Sequence, residues 1–214
     1  MRGRQKLVET RTEFANKIHG LLSDHGITRD IKPLSVSGRE SLRDISLPTP
    51  WDTMLASYVQ MIETLTDEID RLESAIEERA GSLKETQLLM TIPGVSYYSA
   101  LMIYAEIGEI DRFDRDKEVV SYAGLNPIIR ESGDSRIEGG ISKRGSRQLR
   151  WILVQSSRTA VHTCQDEYLG RFYDRLEGRK GSQKAIVATA RKLLVSIYHM
   201  LDREEVYDPP GVSA

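Results

Sequence analysis

The chain has a single cysteine, Cys164, so neither an internal disulfide nor a thiolate metal cluster can form. Cys164 stands among Ala160, Val161 and Thr163, where a small buried hydrophobe is expected. The four histidines, His19, His25, His162 and His199, are dispersed, with no two at ligand spacing on one helical turn, which argues against a zinc site. Aromatic residues are only 7% of the chain, and long alternating runs of Val, Ile and Thr are missing, against an all-β sandwich or barrel. No apolar run approaches the length of a membrane span. The stretch after Met1-Arg2-Gly3-Arg4-Gln5-Lys6 is polar and amphipathic, unlike a signal-peptide core, so a cytoplasmic location without membrane partners is expected.

What is present is a helix-forming composition: 39% hydrophobic and 29% charged residues over 214 positions, enough for one moderate core or a compact domain with a helical arm. The formal charge of −2 hides a strong segregation. From Trp51 to Arg79 the acids Asp52, Glu63, Asp67, Glu68, Asp70, Glu73, Glu77 and Glu78 face only Arg71 and Arg79. From Pro127 to Lys192 cations outnumber acids two to one. Such asymmetry bears on partners more than the neutral total does.

Periodicity divides the chain. Leu7, Phe14, Ile18 and Leu21 mark an N-terminal helix over 1–26, which Gly26 ends. Residues 27–50 read as a connector rich in Ser, Pro and Arg, without periodicity. Over 51–81, Leu55, Ile62, Ile69 and Ile76 recur every seven residues, with Tyr58, Leu65 and Leu72 at the alternate step. That is a coiled-coil-like helix whose seam must be buried, either by the first helix folding back or by a second chain. Residues 82–204 form a compact multi-helix domain and 205–214 a flexible tail. Within that domain, short helices flank Thr91-Ile92-Pro93-Gly94-Val95, Asn126 to Gly145 is a polar loop with a small hairpin around Gly139-Gly140, and two longer helices cover about 146–164 and 182–202. The expected fold is mainly α: a helical arm with a long heptad helix, plus a compact domain containing a helix-hairpin-helix-like turn.

Three features carry chemistry. Gly94 sits in a Pro-Gly turn that could bring backbone N–H groups of the next helix close to a phosphate, although such turns between helices are also ordinary punctuation. On the helix after Gly145, Arg147, Arg150 and Arg158 fall within about 80° of one another on a helical wheel, opposite Leu149, Ile152, Leu153 and Ala160. Lys143 and Arg144 extend the cations into the preceding loop, and the last helix repeats the scheme with Lys184 and Arg191 away from Ile186, Ala190, Leu193 and Ile197. A solvated charged face would explain one such helix. Two helices and a basic loop point to a polyanion. The loop also holds Ser132-Gly133, where Arg130, Arg136 and Arg144 could stabilise charge developing at a phosphorus.

The ordered set Ile92-Pro93-Gly94-Val95, Ala105-Glu106-Ile107-Gly108-Glu109-Ile110, Phe113, Ser121-Tyr122-Ala123-Gly124-Leu125-Asn126-Pro127, Glu131-Ser132-Gly133, Gly140-Ile141-Ser142-Lys143-Arg144-Gly145-Ser146 and Ala190-Arg191-Lys192-Leu193-Leu194 resembles the C-terminal domain of the insertion-sequence one-ten family of transposases. Leu7-Val8, Arg11-Thr12 and Asn16-Lys17-Ile18-His19-Gly20-Leu21-Leu22 resemble the segment that follows that family's catalytic domain.

The resemblance implies a DNA transposition protein guided by a structured RNA, with a serine nucleophile that falls on Ser132, Ser135 being the nearest competitor. It also implies a RuvC-like partner domain whose four acidic residues hold divalent metal. That domain has no counterpart in this sequence, so Mg2+ is expected only with the nuclease half, encoded in a longer or separate chain, and no metal or cofactor with this one. The segment alone is expected to bind nucleic acid without recombining DNA. Homo-oligomerisation through the coiled coil is expected too. The alternative is a non-catalytic nucleic-acid-binding and dimerisation module from a truncated transposase.

Overall fold

The computed structural model describes residues 1–132 and 135–210, giving the backbone alone over 129–132 and 135–139. Two compact units divide the chain, residues 1–75 and 76–214. Among the described residues the architecture is mainly α, with a single two-stranded antiparallel sheet.

In the first unit, α1 (Arg2–Asp24) and α3 (Trp51–Ser82, whose residues from Ile76 on belong to the second unit) form an antiparallel hairpin. Contacts climb one helix as they descend the other: Arg4 pairs with Glu73, the Arg11 guanidinium donates to Thr66 Oγ1 at 3.2 Å, Phe14 and Tyr58 rings lie 5.7 Å apart, and His25 meets Trp51 at 5.5 Å. The heptad positions Leu55, Ile62 and Ile69 are all buried, so the first helix folding back covers this seam within one chain. Removing a side chain such as Ile62 from water contributes roughly 1.5–3 kcal/mol.

The stretch 27–50 is not a bare connector. Ser35 caps α2 (Val36–Arg43) by accepting from the Gly38 N–H, and Ile31, Leu42 and Leu47 are buried in the same core as Ile18 and Ile62. Arg39 and Arg43 both reach Glu63, at 3.6 and 2.6 Å. Apolar residues at 31, 42 and 47 share no helical or strand period, which is why the order is invisible in the sequence.

The second unit is built round α9 (Ser182–Arg203), whose Ala185, Ile186, Leu193, Leu194 and Ile197 are buried. It packs against α4 (Lys84–Met90), a 3-10 turn at Ile110–Arg112, α6 (Asp116–Tyr122), α7 (Arg147–His162) and α8 (Glu167–Lys180). α5 (Tyr97–Ile107) lies against α4 and α7. α8 has no counterpart in the periodicity reading. Its two glycines and many charges leave only Leu169 and Tyr173 buried, and the Asp166 carboxylate caps it by accepting from the Leu169 N–H at 2.7 Å.

Strands β1 (Pro127–Ser132) and β2 (Ser135–Ile141) pair with Ser132 opposite Ser135 and Pro127 opposite Ile141. Gly139 and Gly140 therefore lie inside β2 and not at its turn. The tail through Pro210 is tethered: the Tyr207 N–H donates to Thr91 Oγ1 at 2.9 Å, and its phenol donates to Asp166 at 3.3 Å. Cys164 is exposed just beyond α7, not buried as its apolar neighbours suggest, because the helix ends at His162 and the chain turns outward there. No helix of the described residues is long and apolar enough to cross a membrane.

Candidate nucleic-acid interface

The loop 142–146 is held against the end of α6 by backbone hydrogen bonds. Ser142 N–H donates to Asn126 O at 2.8 Å, Lys143 N–H to Gly124 O at 3.2 Å and Ser146 N–H to Tyr122 O at 2.9 Å. Gly145 makes this approach possible. Its φ is +138°, and a Cβ there would stand 2.1 Å from the Tyr122 carbonyl oxygen. Lys143 itself adopts a left-handed φ of 53°, which turns the chain into the helix that follows. The conjunction of Tyr122-Ala123-Gly124-Leu125-Asn126 with Ser142-Lys143-Arg144-Gly145-Ser146 is thus a backbone clasp that fixes where the basic loop sits.

Ser146 then starts α7. Its hydroxyl oxygen accepts from the Leu149 N–H at 3.1 Å and donates its own proton to Glu106 at 2.7 Å. Leu149, Ile152, Leu153 and Ala160 are buried on one side of the helix, while Lys143, Arg144, Arg147 and Arg158 are exposed. None of these four forms an ion pair among the described residues. The contrast with the first unit is direct, since Arg4, Arg39 and Arg43 there are held by Glu73 and Glu63. The first turn of α7 has no acidic residue, and a helix start carries partial positive charge of its own. Glu106 is the one carboxylate at that start, and three cations at and before it leave the positive charge in excess. A further anion seated there would be attracted by both the cations and the dipole.

Two expected members of the site have other work. Arg150 is half-buried, and its guanidinium donates to the Ala123 carbonyl at 2.9 Å, fastening α7 to the end of α6. Gly94 has φ +85°, and a Cβ there would meet Ala160 N at 2.5 Å and Ser156 O at 2.8 Å. Glycine is needed at that turn because it is pressed onto the backbone of α7. The Ser96 N–H donates to Ser99 Oγ at 2.8 Å and the Ser99 N–H to Ser96 Oγ, a capping box that already occupies donors at the start of α5. The turn therefore offers a phosphate fewer free N–H groups than its sequence suggests.

Lys184 and Arg191 are exposed on α9, away from its buried stripe. Ser132, Arg130 and Arg136 lie where side chains are outside the described residues. Their backbones place Ser132 across from Ser135, Glu131 across from Arg136 and Arg130 across from Ile137, so the two serines compared above are opposite members of one ladder pair.

Several of the cations have aromatic neighbours that a count of charges along the sequence does not show. Lys192 Nζ stands 3.7 Å above the Tyr168 ring and 4.5 Å from that of Phe172, and Arg112 lies 4.5 and 4.6 Å from Phe113 and Tyr122. Trp151 is 40% exposed on the cationic side of α7. Its position four residues after Arg147 is the sequence signal that could have found it. Among the described residues no three His, Cys, Asp or Glu side chains gather to hold a metal ion.

Residues 86–174, from α4 into α8, match the family described as Transposase IS116/IS110/IS902 family. The chain is 29% identical over 214 residues to the transposase for insertion sequence element IS1111A of Coxiella burnetii, covering 95% of this chain and 58% of that protein. It is 27% identical over 200 residues to the transposase for insertion sequence element IS1328 of Yersinia enterocolitica, covering 90% and 58%. An uncharacterized 42 kDa protein of insertion element IS900 from Mycobacterium paratuberculosis is 30% identical over 166 residues, covering 76% and 41%. The chain thus spans about half the length of these relatives.

Proposed function

We propose that this chain is the nucleic-acid-binding, serine-bearing part of an insertion-sequence transposase. The observation that carries this is the exposed, unpaired cation set of Lys143, Arg144, Arg147 and Arg158 on a clasped loop and one helix, inside the segment that matches a transposase family. Such a surface binds the phosphate backbone of DNA, and of a structured guide RNA, through charge neutralisation and counterion release. Lys184 and Arg191 add positive charge from α9.

Ser132 is the nucleophile in this reading. Its hydroxyl oxygen bonds to a DNA phosphorus while one phosphorus–oxygen bond to deoxyribose breaks. The hydroxyl proton leaves, the sugar oxygen departs as a hydroxyl, and the DNA remains joined to protein as a phosphodiester. Cations near the strand stabilise the charge that builds on the phosphorus oxygens. Metal-dependent steps belong to a nuclease domain outside this segment, in the complete transposase or in a separate chain.

The test uses a recombination-competent assembly that contains this segment. Ser132→Ala is expected to abolish the denaturant-resistant protein–DNA adduct, while Ser135→Ala retains it. An adduct that survives Ser132→Ala contradicts the nucleophile assignment and favours a non-catalytic binding role for the segment.

A further inference from the structure

In a protein that buries most of its large apolar side chains, Trp151 is left as exposed as Trp51. It is 40% exposed, while the residues that follow it, Ile152 and Leu153, are buried. It stands one helical turn beyond Arg147 and two turns before Arg158, both exposed on the same side of α7. By the rise of an α-helix, the indole is about 6 Å along the axis from Arg147 and about 10 Å from Arg158. No ring or cation contact occupies the Trp151 indole among the described residues, whereas the other tryptophan, Trp51, is met edge-on by His25.

An intact duplex has no use for such a group. Its bases are already stacked, and reaching a base face from outside requires unstacking at a cost of a few kcal/mol per step. A single strand presents base faces at no such cost, and aromatic side chains set among cations are the usual platform for it. An exposed Trp between two Arg also suits a protein partner. The surrounding surface favours nucleic acid: Lys143, Arg144, Arg147 and Arg158 are exposed and form no ion pair among the described residues, and the nearest carboxylates are already engaged, Glu106 by Ser146 and Glu177 by Tyr173.

We propose that Trp151 stacks on an unpaired base of a single-stranded segment whose flanking phosphates are held by Arg147 and Arg158. The proposal rests on the nucleic-acid reading of this face and makes it specific: α7 recognises unpaired nucleotides, in DNA or in RNA, ahead of duplex.

The experiment uses the full chain with Trp51→Phe, which leaves Trp151 as the only indole. Oligo-dT, oligo-rU and a blunt DNA duplex of equal length are titrated at one ionic strength, following indole fluorescence and the anisotropy of the labelled strand. Single strands are expected to quench Trp151. Adding Trp151→Ala is expected to weaken single-strand binding about tenfold and duplex binding less than twofold, with Trp151→Phe restoring most of the loss. Quenching by only one of the two oligomers assigns the strand to DNA or to RNA. Tight binding with unchanged fluorescence and no effect of Trp151→Ala overturns the stacking and leaves the phosphate interface standing. Failure of all three probes to bind removes the interface and the stacking together. Self-association that Trp151→Ala abolishes, without a change in nucleic-acid affinity, would instead make this face a protein contact and overturn the proposal.

Discussion

The Arg150 guanidinium donates to the carbonyl oxygen of Ala123 at 2.9 Å, so one cation of the α7 face belongs to the fold and its neighbours do not. Arg147 is three residues away, exposed and unpaired among the described residues. Arg150→Ala removes a charged donor from the carbonyl of the buried Ala123 and is expected to cost about 1.5–3 kcal/mol of stability. Arg147→Ala should leave stability within about 0.5 kcal/mol and lower nucleic-acid affinity instead. Denaturant midpoints and DNA-binding isotherms of the two variants would show opposite signatures. Equal signatures would erase the distinction drawn between them.

Gly145→Ala tests the clasp. A methyl group 2.1 Å from the Tyr122 carbonyl oxygen, at a φ of +138°, forces the loop away from α6. The expected loss is about 1–3 kcal/mol, together with weaker DNA binding as Lys143 and Arg144 lose their placement. Gly140→Ala, where a Cβ would meet nothing within 4 Å, serves as the control and should leave the fold unchanged.

In the helical hairpin the core should dominate over the ion pairs. Ile62→Ala, at a fully buried position, is expected to cost roughly 2–5 kcal/mol. Arg4→Ala, which breaks a partly exposed pair with Glu73, should cost no more than about 1 kcal/mol. Because α1 covers the seam of α3 within one chain, both costs should be independent of protein concentration. A concentration-dependent midpoint would mean that the seam also serves an oligomer.

The tethered tail predicts a response to alkaline pH. Burial, then the charge of Asp166 and the hydrogen bond to it, push the Tyr207 phenol well above its ordinary range. The unfolded chain therefore releases this proton first. The contribution is intact below about pH 10, the usual phenol value, and is lost as pH rises beyond it. Tyr207→Phe should flatten the fall in stability between roughly pH 10 and 11 relative to the parent, as measured by denaturant midpoints across that range.

The seven-residue spacing of Leu55, Ile62 and Ile69 made α3 legible, since heptads encode a buried seam. They do not encode its partner, and only contacts such as Arg11 with Thr66 identify α1. α8 was hidden because two glycines and a charged surface dilute a stripe of two buried residues. At the candidate site, the exposed cations on α7 follow from helical period alone. Period could not separate Arg150 from Arg147, because the separation depends on Ala123, whose carbonyl comes from another helix. Gly94 was legible as a special turn but not as a packing contact, since Ala160 lies sixty-six positions further along the chain.

The central claim is that Lys143, Arg144, Arg147 and Arg158 neutralise nucleic-acid phosphates. The most direct measurement is the salt dependence of duplex DNA affinity for the parent and for a variant with all four changed to Ala. Each lost phosphate contact should reduce the slope of log affinity against log salt by about 0.9. The account predicts a slope shallower by roughly 3 to 4 and a large loss of affinity at low salt, with the melting transition unchanged. An unaltered slope and affinity in a folded variant would contradict it.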